Sequence, residues 1–164
     1  MTSLNISETP HRGEVRAKFN GKEKIRFLTI ARLHWKKGLE YTLQALAILK
    51  EKNILFHYTI IGEGQERERL IFAVHQLGMD GQVVFSGSIP HHCIREYYEE
   101  ADIYLQYSIQ EGFCNAVLEA QAMGLLTIAS DAEGLTENII DGETGWVVPK
   151  RNPTLLAQKI QNVL

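Results

Sequence analysis

Short apolar segments alternate along this chain with longer segments of helical periodicity, beginning near residue 25. Clusters of β-branched and aromatic residues predict six strands, at 25–31, 56–61, 83–85, 103–107, 125–129 and 145–148. Apolar residues that recur every three or four positions predict six helices, at 39–50, 66–77, 94–101, 113–123, 135–140 and from Asn152 onward. Several residues predict where the helices begin and end. Gly78 and Gly124 predict the C-terminal ends of two helices, and Asn152 followed by Pro153 predicts the start of the last one.

The regular alternation predicts an α/β fold, a doubly wound Rossmann-like parallel sheet of about six strands with helices on both faces. In such a sheet, ligands bind beyond the carboxyl ends of the strands, where the strand order reverses. We therefore expect function in the loops after residues 31, 61, 85, 107 and 129. Residues 1–24 are polar and are predicted to be an arm or linker, which leaves 25–164 as the packed unit.

Composition narrows the possible functions. The chain has 164 residues, 45% hydrophobic and 23% charged, an ordinary balance for one globular domain. Its formal charge of −3, without a basic block, argues against nucleic-acid binding. Cys93 and Cys114 cannot form a disulfide framework. No signal peptide or membrane span is evident, so a cytoplasmic location is predicted.

The loop after the first predicted strand is basic. Arg32, Lys36 and Lys37 precede a predicted helix, whose free N–H groups and dipole favour phosphate. The alternative interpretation is a solvated basic turn.

The loop after the fourth predicted strand brackets a helix start between two carboxylates. Glu111 precedes the helix, and Glu119 is the only formally charged residue of an otherwise apolar helix. The N–H groups of Cys114, Asn115 and Ala116 are expected to be free between them. This order, a carboxylate, then an anion-binding helix start, then a second carboxylate, suits a ligand with hydroxyl groups at both ends and phosphates in the middle. A nucleotide sugar has that composition. The alternative is a capped helix with Glu119 at its exposed edge.

Two further motifs are weaker. The run GEG at 62–64 resembles the start of a dinucleotide fingerprint but lacks its third glycine, so no nicotinamide site is predicted. Its glycines still allow close backbone approach at the sheet edge. The run HHC at 91–93 is interpreted as a solvent-facing helix start, because consecutive helical residues point in different directions and rarely bind one metal ion. Packing is the predicted role of Cys114.

At these motifs the chain resembles the carboxy-terminal domain of retaining glycosyltransferases of family 4, which have the GT-B fold. The segment EGFCNAVLEA at 111–120 is similar to the family's E-x7-E signature. RLHWKKG at 32–38 is similar to its R-L-x-x-x-K-G loop. Four shorter matches, at 61–64, 85–87, 101–102 and 141–145, fall in the family's order and spacing. The resemblance covers 25–164.

The resemblance implies that the ligand is a nucleoside-diphosphate sugar and that no metal or other cofactor is needed. Arg32 and Lys37 would hold the diphosphate, Glu119 the ribose, and Glu111 would face the sugar as the candidate catalytic residue. The full implied donor-binding set is Arg32, Lys37, Gly87, Ser88, Ile89, Gly112, Phe113, Cys114, Asn115, Ala116 and Glu119. The loop at 87–89 would lie near the base.

The implied function is transfer of a sugar, with retained anomeric configuration, to an acceptor hydroxyl in polysaccharide or glycoconjugate synthesis. Full enzymes of this family add an amino-terminal acceptor-binding domain, so the chain is interpreted as a donor-binding half that is inactive alone. Any membrane contact, at the inner face, would be made through that absent half. One departure, Glu133 in place of a family glycine, is expected to narrow the sugar end of the cleft. Two alternatives stay open: a nucleotide-sensing module without catalysis, and a sugar-nucleotide epimerase-like domain.

Overall fold

The structure is a computed structural model that describes residues 23–164. The predicted arm at 1–24 therefore lies almost entirely outside the described residues. The strands are β1 (Ile25–Ile30), β2 (Phe56–Ile61), β3 (Val83–Gly87), β4 (Ile103–Gln106), β5 (Leu126–Ser130) and β6 (Trp146–Val148). The helices are α1 (Leu39–Glu51), α2 (Arg67–Gln76), α3 (His91–Glu100), α4 (Asn115–Ala122), α5 (Glu133–Asn138) and α6 (Pro153–Val163), with a 3-10 turn at Trp35–Lys37.

The six strands form one parallel sheet in the order β3-β2-β1-β4-β5-β6. The predicted α/β doubly wound fold is confirmed. Strand order reverses between β1 and β4, which pair directly, with Phe27 opposite Ile103 and Leu28 opposite Tyr104. The loops that follow these two strands therefore diverge from neighbouring points on one edge of the sheet.

Side chains of each strand alternate between two separate cores. Phe27 and Ile103 belong to the core covered by α1, α2 and α6. Leu28 and Tyr104 belong to the core covered by α3, α4 and α5. Burying one such side chain stabilises the fold by roughly 1.5–3 kcal/mol, so apolar strands with two covered faces account for both layers of helices.

Most helix ends fall where the sequence predicts them. Asn152 Oδ1 accepts from the Leu155 N–H at 3.1 Å and caps α6, which begins at Pro153. Three starts differ by two or more residues: α3 begins at His91, directly after Pro90, and α4 begins at Asn115, two residues later than predicted. The predicted helix at 135–140 is α5, which begins two residues earlier, at Glu133, and ends at Asn138. The longest helix, α1, has 13 residues, and no helix within 23–164 has the length and apolarity needed to cross a bilayer.

Candidate functional site

A cleft of about 390 Å³ opens between the loops that follow β1 and β4, at the reversal in strand order. Its lining residues are Arg32, His34, Lys36, Lys37, Gln110, Glu111 and Gly112. The two loops are joined by a backbone hydrogen bond of 2.7 Å from the Ile109 N–H to the Lys36 carbonyl oxygen. The cleft is therefore built into the fold at the place where the sheet topology predicts a ligand site.

The β1 loop turns sharply into α1 beside the cleft. His34 Nδ1 accepts from the Lys36 N–H at 3.3 Å, which caps the 3-10 turn. Gly38 ends that turn with φ of 61°, and a Cβ there would lie 2.0 Å from the Tyr107 carbonyl oxygen. A glycine at this position allows the backbones of the two loops to come into contact. The neighbouring residue, Lys37, therefore lies close to the β4 loop.

Two glycines of the GEG run at 62–64 pack closely against the backbone of the β1 loop. A Cβ at Gly62 would lie 1.8 Å from the Ala31 carbonyl oxygen, and one at Gly64 would lie 2.3 Å from that of Leu33. The predicted close approach of backbone is present, and the approaching segment is the β1 loop.

Lys37 and Glu111 form an ion pair at the centre of the cleft. The Lys37 Nζ lies 2.6 Å from Glu111 Oε1 and 2.7 Å from Oε2. Their side chains are 21% and 9% exposed, so water screens the pair less than it screens a surface pair. The residues expected to hold diphosphate and to face the sugar are thus brought into direct contact. Arg32 lies beside them, exposed and without an ion pair to any residue in 23–164.

Two polar side chains, at the end of β4 and in the loop after it, hydrogen-bond to the Glu111 carboxylate. Ser108 Oγ donates to Glu111 Oε2 at 2.8 Å, and Gln106 Nε2 donates to the same oxygen at 3.2 Å. Sequence reasoning missed both residues. The signal was present, because Gln106 is the one amide in an apolar strand and Ser108 lies two positions further on the same face.

At the start of α4, one of the three backbone N–H groups that were expected to be free already has a partner. The Cys114 N–H is not free: it donates to Asn138 Oδ1 at 3.1 Å. Asn115 and Ala116 occupy the first turn, where the helix itself supplies no carbonyl acceptor. Burial raises the pKa of the Cys114 thiol, which fits the predicted packing role. Phe113 is 63% exposed.

Glu119 lies one turn into α4 and is both exposed and bonded. Its side chain is 40% exposed, its Oε2 accepts from the Tyr98 hydroxyl at 3.0 Å, and its Oε1 lies 3.3 Å from His91 Nε2. The carboxylate thus lies at an exposed edge of the helix, as the alternative interpretation predicts, and its role towards a ligand stays a prediction. Tyr98, which sequence reasoning missed, also lines a groove of about 250 Å³ between α3 and α4.

The loop at 87–89 lies at the same edge of the sheet but outside the cleft lining given above. Gly87 has φ of 69° and its carbonyl oxygen accepts from the Gly62 N–H at 2.9 Å. Ser88 is exposed, whereas Ile89 packs against the core beneath α3. The loop can offer backbone atoms to a ligand that extends past Glu119 towards β3.

The run HHC at 91–93 forms the first residues of α3, three residues earlier than the predicted helix, and His91 and His92 are exposed, as the sequence predicts. In the part of the chain that is described, no group of three or more His, Cys, Asp or Glu side chains is placed to hold a metal ion.

Known proteins resemble this chain in both sequence and fold. The chain is 36% identical over 141 residues to the amylovoran biosynthesis glycosyltransferase AmsK of Erwinia amylovora, and this match covers 82% of the chain and 35% of AmsK. The crystal structure of the C-terminal domain of a glycosyl transferase group 1 family protein (LpcC) from Francisella tularensis superposes with a TM-score of 0.75 at 25% identity. That match covers 98% of this chain and 87% of the LpcC domain.

A third similarity extends the fold comparison. Anabaena HepE, solved in complex with UDP-glucose, superposes with a TM-score of 0.77 at 20% identity, covering 98% of this chain and 45% of HepE. The chain therefore has the fold of one half of a GT-B glycosyltransferase, and it spans about a third of the length of AmsK. Residues 12–164 match the family described as glycosyl transferases group 1. The chain belongs to that family.

Proposed function

We propose that this chain is the donor-binding domain of a retaining glycosyltransferase, which moves a sugar from a nucleoside diphosphate to an acceptor hydroxyl in polysaccharide or glycoconjugate synthesis. The observation that carries the proposal is the Lys37–Glu111 pair in the cleft at the strand-order reversal. It sets a phosphate-binding cation and a hydroxyl-binding carboxylate side by side, which matches the junction of diphosphate and sugar in such a donor.

The proposed donor runs across the start of α4. Arg32, Lys37 and the N–H groups of Asn115 and Ala116 face its diphosphate, because cations and a helix N-terminus both stabilise phosphate. Glu119 lies four residues further along α4, roughly 6 Å at 1.5 Å per residue. It accepts the ribose hydroxyls there. The base then lies towards the loop at 87–89.

The sugar end is proposed to lie beside Glu111 and the start of α5. Glu133 is exposed in the first turn of α5, and the next residue, Gly134, donates its N–H to the Glu111 carbonyl oxygen at 3.1 Å. The Glu133 side chain is thus close enough to influence which sugar is accepted. Retention of anomeric configuration is proposed from the family resemblance, and the leaving diphosphate is stabilised by Arg32, Lys37 and α4 without a metal.

A second domain is proposed to bind the acceptor and to close the cleft from its open side. The likeness to a C-terminal domain and the 35% coverage of AmsK support this division. We propose that the whole enzyme acts in the cytoplasm and that any membrane contact is made through the other domain. Orientation of an acceptor is worth roughly 7–11 kcal/mol of barrier, so this chain alone should transfer no sugar to candidate acceptors.

Thermal unfolding with a nucleotide panel tests the proposal. UDP or GDP and their sugars should stabilise the chain, by roughly 2.7 kcal/mol at 100 times the dissociation constant, whereas NAD should not. Lys37→Gln should remove most of the response, and Lys159→Gln, on the distant helix α6, should keep it. Absence of any response at millimolar nucleotide would overturn the proposal. Release of free sugar or isomerised nucleotide from donor alone would favour an epimerase.

A further inference from the structure

Gln106 is a buried amide that the proposed donor site does not yet use. It ends β4, is 1% exposed, and lies on the strand face that also carries Tyr104 and Ser108. Burying an amide without hydrogen bonds costs free energy, and this one is fully engaged. Its Oε1 accepts from the Tyr104 hydroxyl at 2.9 Å, and its Nε2 donates to Ser108 Oγ at 3.0 Å and to Glu111 Oε2 at 3.2 Å.

Tyr104 contacts the oxygen end of that amide, and the NH2 end faces Glu111. The Tyr104 hydroxyl lies 3.3 Å from the Ile30 nitrogen and 3.2 Å from the Ile30 carbonyl oxygen, so it is anchored to β1. Burial raises the pKa of Tyr104 well above its usual range. A tyrosine hydroxyl is protonated at neutral pH even without such a shift, so it can act as a donor here. A hydroxyl donor satisfies the amide oxygen, and the Gln106 NH2 group is left to face the carboxylate.

The two oxygens of Glu111 are consequently unequal. Oε2 accepts three hydrogen bonds, from Lys37, Ser108 and Gln106. Within residues 23–164, Oε1 accepts one, from Lys37. A carboxylate oxygen with one partner keeps a lone pair for a further donor, such as a hydroxyl group of a ligand. Gln106 and Ser108 thus engage Oε2 and leave Oε1 as the oxygen with fewer partners.

We propose that Gln106 is a positioning residue for Glu111. With Ser108 it holds Oε2 and turns Oε1 towards the sugar of the donor, so that the pair Tyr104–Gln106 in the core sets how strongly the site distinguishes a sugar nucleotide from its bare diphosphate. This inference rests on the proposed function, because it assigns Glu111 to the sugar. It goes beyond that function in naming buried residues that touch no ligand.

The test compares affinities for UDP and UDP-glucose, and in parallel for GDP and GDP-mannose, by calorimetry. Gln106→Met keeps side-chain length and removes both polar groups, while the Tyr104 hydroxyl retains the Ile30 carbonyl. It should lower the ratio of sugar-nucleotide to diphosphate affinity roughly tenfold, the loss of one hydrogen bond to a charged group. Affinity for the bare diphosphate should change by less than about threefold, since that ligand does not use Oε1.

A double-mutant cycle separates positioning from a structural role. In a Glu111→Ala background, Gln106→Met should leave the affinity ratio unchanged, because its effect passes through Glu111. The matched control is Gln121→Met, which removes another buried amide, one that donates to the Asn138 and Thr144 carbonyls at the far end of α4. It should leave the ratio unchanged in both backgrounds.

Two results would overturn the inference: an unchanged ratio in Gln106→Met, or an equal fall of the ratio in the Glu111→Ala background. Failure of the proposed function looks different, since the unaltered chain would then bind neither nucleotide pair. In that event, urea unfolding still tests whether Gln106 and Glu111 interact. Glu111→Ala should shift the urea midpoint less when Gln106→Met is present, whereas additive shifts would refute the Gln106–Glu111 coupling.

Discussion

At the scale of single residues, the ammonium group of Lys37 in the cleft is already paired with an anion, the carboxylate of Glu111. The Glu111 carboxylate occupies two of the three donors of the Lys37 ammonium group, at 2.6 and 2.7 Å. A phosphate that binds Lys37 must therefore displace a carboxylate or share the ammonium group with it. Under the proposed function, Glu111 thus acts on both parts of a donor, favouring the sugar and competing with the diphosphate.

The first prediction concerns that competition. Glu111→Gln removes the competing charge, so affinity for bare UDP or GDP should rise, by up to about tenfold for a charge-assisted hydrogen bond of roughly 1.5–3 kcal/mol that is only partly lost on binding. Calorimetry measures it. Glu68→Gln, an exposed glutamate on α2, is the charge-matched control and should change affinity less than twofold. A weaker affinity in Glu111→Gln would show that the carboxylate assists the diphosphate.

The second prediction concerns the other carboxylate. Tyr98→Phe removes the hydroxyl that Glu119 Oε2 accepts at 3.0 Å, so diphosphate and sugar nucleotide should both bind about three- to tenfold more weakly, since they share the ribose. Tyr58→Phe removes a buried hydroxyl that is bonded to Thr29 in the other core, and it should change neither affinity. If Tyr98→Phe affects only the sugar-bearing ligand, Glu119 does not bind the ribose.

Residue types at the site could be predicted from the sequence, but their contacts could not. The positions of Arg32, Lys37, Glu111 and Glu119 follow from motif spacing, yet Lys37 and Glu111 are 74 positions apart, and only the pairing of β1 with β4 brings them together. Asp102 shows the same limit. In a run of acidic residues it looks solvated, but it is 6% exposed and pairs with Arg26 at 3.1 Å across the same strands.

At the scale of elements, the wall of the cleft depends on how closely α5 approaches the β4 loop. A Cβ at Gly134 would lie 2.0 Å from the Gly112 carbonyl oxygen and 2.6 Å from that of Glu111. The sequence predicts the element types and most of their ends, because caps and glycine stops are local signals. It does not predict this approach, because contact between α5 and the β4 loop depends on packing across the sheet.

The third prediction tests that approach. Gly134→Ala should destabilise the fold by about 1–3 kcal/mol, as overpacking does, and should weaken nucleotide binding because the Glu111 loop must move. Urea unfolding and calorimetry measure the two effects. Gly81→Ala is the control: its Cβ would meet nothing within 4 Å, so its stability should change by less than about 0.5 kcal/mol. Equal costs for the two variants would contradict the close packing described here.

At the scale of the whole molecule, the location of the site follows from the fold class. Alternating strands and helices predict the doubly wound sheet, the sheet order places the cleft, and the basic and acidic loops coincide there. The formal charge of −3 leaves a net acidic chain, so attraction of an anionic ligand is a local property of Arg32, Lys36 and Lys37.

The fourth prediction follows from that local charge. Nucleotide binding should be the same with EDTA as without it, within about twofold, because two side-chain cations and the α4 N-terminus already face the proposed diphosphate. Paired titrations measure this, with added Mg²⁺ as the control that should restore nothing. A tenfold loss of affinity on chelation would reveal a metal site.

The ion pair in the cleft also has a consequence for turnover under the proposed function. A bound donor satisfies both partners, with phosphate on Lys37 and a sugar hydroxyl on Glu111. Once the sugar has left, the spent nucleotide satisfies Lys37 alone, and Glu111 can recover its place on the ammonium group. Recovery of the pair loosens the product, so the enzyme should escape inhibition by the nucleotide that each cycle leaves behind.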